Sequence, residues 1–149
     1  MMTQVCVDAN LVVMWIAPEE GREQAIALLS ECRERGISLI APDCMFAEVG
    51  AAIRRKVYRG MMDERDGFDA ISVLDRLAID IAPVLDLMTE AWQLAAAHNL
   101  PTLYDAYYLA LAELRGCDFW TADERFINSV KGIFYVKHIA DFIPGTFGN

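Results

Sequence analysis

Residues 4–16 read QVCVDANLVVMWI, and this stretch decides the fold. Its opening residues, QVCV, form a short apolar run that predicts a fully buried strand at 4–7. Asp8 follows at once, and the apolar residues after it predict a helix over 10–16 that Pro18 ends. A buried strand that passes directly into a helix is typical of parallel α/β folds, and it delivers Asp8 to the carboxyl edge of the sheet.

The same alternation of strands and helices continues along the chain. Further strands are predicted over residues 37–41, 79–82, 118–120 and 133–136. Further helices are predicted over residues 19–35, 42–59, 63–77, 84–98, 104–115 and 122–130. We therefore expect one α/β domain over residues 1–149, in which helices flank a central, mostly parallel sheet of about five strands.

Composition excludes several classes of protein. Hydrophobic residues make up 55% of the chain, which excludes intrinsic disorder, and the net charge of −9 argues against general polyanion binding. No apolar run approaches the roughly 20 residues of a membrane-spanning helix, and the N-terminal MMTQVCVDAN lacks the basic start of a signal peptide. The 4 cysteines form no CxxC pair and are accompanied by only 2 histidines, so buried free thiols in the cytoplasm are favoured over a zinc site.

Four acidic residues stand where a strand gives way to a helix or near the start of a helix: Asp8, Glu48, Asp105 and Asp123. Ligands of parallel α/β folds bind at the carboxyl edge of the sheet, so we expect these side chains to share one pocket. Crowded carboxylates repel one another unless a cation lies among them. Because oxygen ligands select hard cations, the pattern predicts a site for Mg²⁺ or Mn²⁺.

Each acid also has a purely structural interpretation. Asp8 and Asp105 could cap the helices that follow them. Glu48 could face solvent rather than a cleft, although its neighbours in the sequence are small and apolar. Asn10 would orient Asp8 or a metal-bound water, or would simply be a surface residue.

The segment TADE at 121–124 has two compatible interpretations. Thr121 and Glu124 predict a capping box, which would place Asp123 at the second position of the helix, where the macrodipole favours an acid. The functional interpretation puts Asp123 and the Thr121 hydroxyl at the metal or its waters. Both interpretations can hold at once.

Basic residues concentrate in one segment, RRKVYR at 54–59. At about 100° per residue, Arg55 and Arg59 return close to the helix face that carries Glu48. This arrangement would bind a phosphate backbone that leads into the site. The alternative is that these cations only complement the C-terminus of their helix.

The segments VDANLVVMWIAPEE, PDCMFAEVGAAIRRKVYRG, LPTLYDAYYLALAELRG and WTADERF, in this order and spacing, resemble the PIN-domain family. The resemblance is to its VapC type of toxin–antitoxin ribonuclease, and it runs from about residue 5 to residue 126. It implies a three-layer α/β/α sandwich, dependence on Mg²⁺ or Mn²⁺, cleavage of single-stranded or loop RNA, frequent homodimers and a cognate antitoxin protein. The acidic site residues of the family carry over onto Asp8, Glu48, Asp105 and Asp123, with Thr121 as the neighbouring hydroxyl.

Two positions depart from the family pattern. Asn10 stands where related chains often have Ser or Thr, and Met14 stands where they often have Lys. Neither change removes a metal ligand, so we expect activity to survive.

Two other functions remain as alternatives. A receiver-like phosphate-signalling domain would need an acidic pair at the end of the first strand, but apolar residues precede Asp8. A non-catalytic PIN-fold module that binds RNA or protein would not need intact acids, since an idle carboxylate cluster only costs stability. The favoured hypothesis is hydrolysis of RNA phosphodiesters at one or two metal ions held by the acids.

Overall fold

Five parallel strands form the centre of the structure, a computed structural model that describes residues 2–17 and 21–148. The strands are β1 (Gln4–Val7), β2 (Ser38–Pro42), β3 (Asp80–Ala82), β4 (Asp118–Thr121) and β5 (Val136–His138). They lie in the order β3-β2-β1-β4-β5, and every neighbouring pair is parallel. The predicted central sheet is therefore confirmed.

Helices flank the sheet and complete a three-layer α/β/α sandwich. They are α1 (Ala9–Ile16), α2 (Glu23–Arg35), α3 (Cys44–Tyr58), α4 (Glu64–Ser72), α5 (Val84–His98), α6 (Tyr104–Arg115) and α7 (Glu124–Ser129). Short 3₁₀ turns cover Leu74–Leu77 and Ile139–Asp141. Among the helices of the described residues, none combines the length and apolar character that spanning a bilayer requires.

The core is built around β1 and α6. β1 is the middle strand, and its residues Val5, Cys6 and Val7 are completely buried. Helix α6 packs against β1, β2 and β4 and also against α5, so residues 106–112 are all buried. Because the strands are parallel, β1 and β4 pass into α1 and α7 at the same edge of the sheet.

Several predicted boundaries are confirmed, and helix caps explain why. β1, α5 and α6 have the predicted bounds. Helix α5 ends because Asn99 adopts the left-handed conformation (φ 51°), and α6 ends in the same way at Gly116 (φ 63°). Asn and Gly adopt this conformation more readily than other residues, so their positions in the sequence mark the ends of these helices.

Three predicted elements were placed wrongly. The helix predicted over 63–77 ends at Ser72, whose hydroxyl donates to the carbonyl of Asp69 (2.8 Å), and a 3₁₀ turn replaces its last part. The strand predicted over 133–136 lies at Val136–His138, because residues before it form a turn around Gly132 (φ 95°). The helix predicted from 122 begins at Glu124.

The start of α2 also differs from the prediction. The predicted start at Glu19 and the helix stop at Pro18 lie outside the described residues. In the described part, Gly21 adopts a left-handed conformation (φ 75°) and α2 begins at Glu23.

The C-terminal segment, residues 142–148, folds back onto α2 and β4. Phe142 and Phe147 pack edge-on against Trp120, with ring centroids 5.5 and 6.4 Å from it. The buried carboxylate of Glu31 in α2 accepts hydrogen bonds from two backbone N–H groups of the segment. This carboxylate therefore anchors the segment to the core.

Candidate functional site

A small pocket of about 90 Å³ opens at the carboxyl edge of the sheet, beside the ends of β1 and β4. The structure brings all the predicted acids and both supporting residues to its lining, which includes Asp8, Asn10, Glu48, Asp105, Thr121 and Asp123. The lining also contains three aromatic residues, Tyr108, Phe119 and Phe126. The acids come from four separate parts of the chain, and the fold alone accounts for their meeting.

Asp8 is held by both of its carboxylate oxygens. Oδ1 accepts a hydrogen bond from the backbone N–H of Leu11 (2.9 Å), so Asp8 is the N-cap of α1. Oδ2 accepts a hydrogen bond from the Thr121 hydroxyl. Burial raises the pKa of Asp8 from 3.8 to about 7, against the lowering effect of both hydrogen bonds, and the nearby Asp123 and Glu48 raise it further.

Asp123 has a different structural role from the predicted one. It is the N-cap of α7, and its Oδ1 accepts a hydrogen bond from the backbone N–H of Phe126 (3.0 Å). The predicted capping box of Thr121 and Glu124 was wrong, because the Thr121 hydroxyl points to Asp8 instead. The Asp123 N–H donates to the same hydroxyl oxygen (2.9 Å), so Thr121 links the Asp8 carboxylate to the backbone at Asp123.

Glu48 lies half-buried on α3, in the cleft rather than on a solvent-facing surface. Its Oε1 accepts a hydrogen bond from the hydroxyl of Tyr108 on α6 (2.9 Å). Burial raises the pKa of Glu48, and hydrogen bonds from Tyr108 and Cys44 partly offset that rise. Burial and the Glu48 carboxylate raise the pKa of Tyr108, so its hydroxyl remains a donor.

Tyr108 is the polar residue of this lining that was not among the predicted site residues. A signal for it exists in the sequence, because Tyr108 follows Asp105 by three positions and shares its helix face. The signal is weak, since an aromatic residue at that spacing is also typical of a helix core. The role of the Tyr108 hydroxyl becomes visible only in the structure, where it donates to Glu48 on α3, 60 positions away in the chain.

Asp105 lies in the first turn of α6. The residue is exposed as a whole, yet its carboxyl group lines the pocket. Burial of that group raises its pKa from 3.8 to about 6, and the charges of Asp123 and Glu48 add to the shift. Asp8 and Asp105 thus resist ionisation in the same pocket.

The predicted supporting residues line the pocket, whereas the predicted RNA-binding residues do not. Asn10 is exposed and contributes to the pocket lining. Arg55 and Arg59 are exposed on α3 and at its C-terminal cap, and the structure does not bring them into the pocket. Their neighbour Arg54 forms an ion pair with Glu64 of α4 (2.9 Å).

The donor set suits a hard cation. The lining residues include four carboxylates and no lysine or arginine. Burial raises the pKa of Asp8, Glu48 and Asp105, and the described lining residues offer no cationic side chain to offset their charge. No three acidic, thiol or imidazole groups among the described residues stand in a ready-made metal-binding arrangement. The fit therefore rests on the chemistry of the donors and not on a preformed cage.

Pocket size restricts what can enter. The pocket of about 90 Å³ has room for an ion with its waters or for the oxygens of a phosphate. The arrangement can act on a phosphodiester whose phosphate reaches the acids.

Comparisons with known proteins agree with this geometry. The sequence model of the PIN domain matches residues 5–131. A VapC ribonuclease of Mycobacterium bovis is 35% identical over 107 residues, which cover 69% of this chain and 82% of that protein.

Solved structures show the same fold. The crystal structure of PAE2754 from Pyrobaculum aerophilum matches with a TM-score of 0.64 and 17% identity, covering 93% of this chain and 85% of that one. A toxin–antitoxin complex from Klebsiella pneumoniae matches with a TM-score of 0.58 and 20% identity, covering 89% and 94%.

Proposed function

This chain belongs to the PIN-domain family and to its VapC group, and from that membership we propose that it is an endoribonuclease, the toxin of a toxin–antitoxin pair. The observation that carries the proposal is the convergence of four carboxylates, from separate elements, in one pocket to which the described residues contribute no lysine or arginine. A related protein with 35% identity is a VapC ribonuclease, which supports RNA as the substrate.

Asp8, Glu48, Asp105 and Asp123 would hold a divalent cation, for which we propose Mg²⁺ or Mn²⁺. When bound, the cation supplies positive charge to the phosphate oxygens and makes a water molecule more acidic. The hydrogen bonds from Leu11 and Thr121 keep the Asp8 carboxylate in one orientation.

Proton transfer is assigned to the acids as a group. Their charges interact, so a proton taken up by one acid changes how readily its neighbours accept one. A carboxylate oxygen of this group that is not bound to the cation would accept the proton of the attacking water. The described residues that line the pocket include no serine, cysteine or lysine, which favours direct attack by water over a covalent intermediate.

Arg55 and Arg59 would bind the RNA backbone outside the pocket. Both are exposed, and guanidinium groups bind phosphate oxygens with paired hydrogen bonds. The pocket has room for a phosphate, and we propose single-stranded or loop RNA, whose backbone can bend toward the acids.

We propose an antitoxin protein as the partner, docked on residues 43–77 and covering the acidic pocket. That region exposes apolar side chains that a monomer leaves in water, among them Tyr58 (84% exposed), Met61 (69%) and Phe68 (70%). A basic antitoxin residue would complement the acids of the pocket.

We also propose that the protein forms a homodimer and is located in the cytoplasm. The four free cysteines favour a reducing compartment.

A non-catalytic RNA- or protein-binding role is disfavoured. A binding module has no need for buried carboxylates whose ionisation works against folding. A receiver-like domain is excluded by membership of the PIN family.

The test is cleavage of labelled single-stranded RNA and DNA by purified, antitoxin-free protein with Mg²⁺, Mn²⁺ or EDTA. The variant Asp105→Asn is tested beside the wild type. It removes the charge of an acid in the first turn of α6 and has little effect on packing, because Asp105 is exposed. The proposal expects RNA cleavage that requires the metal and that Asp105→Asn reduces at least a hundredfold. Cleavage that persists in the variant would place the site elsewhere, and a folded protein inactive on varied RNAs would favour the binding role.

A further inference from the structure

Tyr108 connects the core to the acidic pocket through a single polar contact. Its ring is buried, with 2% exposure, and stacks on Phe119 of β4 with centroids 5.4 Å apart and planes 15° from parallel. Phe119 is in turn held edge-on by Phe126 of α7, with centroids 6.0 Å apart. The hydroxyl at the end of this fixed ring donates to Oε1 of Glu48 at 2.9 Å.

We propose that Tyr108 is a positioning residue that holds the Glu48 carboxylate inside the acidic pocket and so sets the affinity of the site for its divalent cation. This inference rests on the proposed function. It assigns a role to a residue outside the set of acids.

The need for such a contact follows from the side chain and its surroundings. Glu48 has three rotatable bonds and a half-buried position, so its carboxylate can turn toward solvent. Repulsion from Asp8, Asp105 and Asp123 would favour that turn before a cation is bound. A hydrogen bond to a rigid donor opposes that turn and holds the carboxylate at the pocket.

The neighbouring thiol does not replace this donor. Cys44 lies one turn before Glu48 on α3, and burial together with the Glu48 charge raises its pKa to about 12. A thiol is a weak hydrogen-bond donor, and Cys44 belongs to the same helix as Glu48. Tyr108 comes from α6, which also carries Asp105, so its bond fixes one acid-bearing helix relative to the other.

The variant that isolates the contact is Tyr108→Phe, which removes the hydroxyl and keeps the stacked ring. The chain offers a matched control, because Tyr135 donates an equivalent hydrogen bond to Glu113 (3.0 Å) on an exposed surface outside the pocket. Tyr135→Phe therefore removes the same chemical bond without touching the site. Thermal melting of both variants checks that the fold is intact.

Binding of Mn²⁺, followed by the EPR signal of the free ion, measures the predicted effect directly. Loss of a partner that orients a metal ligand commonly weakens metal binding by about 10- to 100-fold. We expect the dissociation constant for Mn²⁺ to rise about tenfold or more in Tyr108→Phe and to change less than about twofold in Tyr135→Phe. In a Glu48→Gln background, Tyr108→Phe should cause little further loss, because the two residues act through one contact.

RNA cleavage supplies the second measurement. Tyr108→Phe should need higher Mn²⁺ to reach half its maximal rate, and excess Mn²⁺ should restore much of that rate, which loss of fold would not allow. A folded Tyr108→Phe with wild-type Mn²⁺ affinity would overturn the inference, as would an equal loss in the Glu48→Gln background. A wild-type protein that binds no Mn²⁺ and cleaves no RNA would refute the proposed function, and the inference with it.

Discussion

Replacement of Asp8 by asparagine should stabilise the metal-free protein at neutral pH. Burial raises the Asp8 pKa from 3.8 to about 7, so the folded state retains a proton that the unfolded state has already released. One pKa unit corresponds to about 1.4 kcal/mol, so about three units correspond to about 4 kcal/mol of stability lost above pH 7. Asparagine has no charge to desolvate, and it remains a good N-cap for the Leu11 N–H.

The effect should depend on pH in one direction. Below about pH 4 the Asp8 carboxyl group is protonated in both states, and the variant gains nothing. As the pH rises from about 4 to 7, the wild type loses stability relative to Asp8→Asn, and above pH 7 the difference is constant. We expect a gain of about 2 to 4 kcal/mol at pH 8, since local relaxation recovers part of the desolvation cost, or roughly 5 to 15 °C in melting temperature.

Urea unfolding followed by circular dichroism in EDTA, at pH values from 4 to 8, measures this difference. Asp63→Asn is the control, because Asp63 is exposed at the start of α4 and makes no side-chain capping bond. It should change stability by less than about 0.5 kcal/mol at any pH. Equal stability of wild type and Asp8→Asn at pH 8, or a gain that persists undiminished at pH 4, would refute the reasoning.

Three further predictions concern the metal, the C-terminal segment and the RNA. Mn²⁺ at a hundredfold excess over its dissociation constant should stabilise the wild type by about 2.7 kcal/mol and Asp8→Asn much less, as measured by thermal unfolding; equal stabilisation would place the ion elsewhere. Glu31→Ala should cost about 1 to 3 kcal/mol in urea unfolding and expose the C-terminal segment to proteases, because two backbone N–H groups lose their acceptor; unchanged protease resistance would contradict this. Arg55→Ala and Arg59→Ala should each lower the salt dependence of RNA binding by about one phosphate contact, measured by fluorescence anisotropy, whereas the paired Arg54 should matter less.

The parts of the fold that depend on local chemistry could be predicted from the sequence. The apolar run before Asp8 predicted the buried central strand, and residues suited to a left-handed cap, Asn99 and Gly116, marked the ends of α5 and α6. The meeting of Asp8 and Asp123 followed from one rule of parallel sheets, that the carboxyl ends of strands share an edge, whereas Glu48 and Asp105 reach the same pocket from helices α3 and α6.

The contacts that organise the pocket could not be predicted in the same way. Thr121 bonds to Asp8 across 113 positions of sequence, and Tyr108 bonds to Glu48 across 60. The Thr121 hydroxyl could have capped the helix that follows it. It instead donates to Asp8, which lies nearby only because β1 and β4 pair in the sheet. The late strand β5 was displaced for a related reason, because pairing with β4 and a preceding turn fixed its position.

The central claim is that the four carboxylates form one site for a divalent cation. Anomalous diffraction from crystals of the protein grown with Mn²⁺ tests this claim most directly, because it locates the ion itself. The account predicts a manganese peak in the pocket, bonded to carboxylate oxygens of Asp8 and at least one of Glu48, Asp105 and Asp123. A well-ordered pocket without manganese, or manganese bound only elsewhere on the molecule, would contradict it.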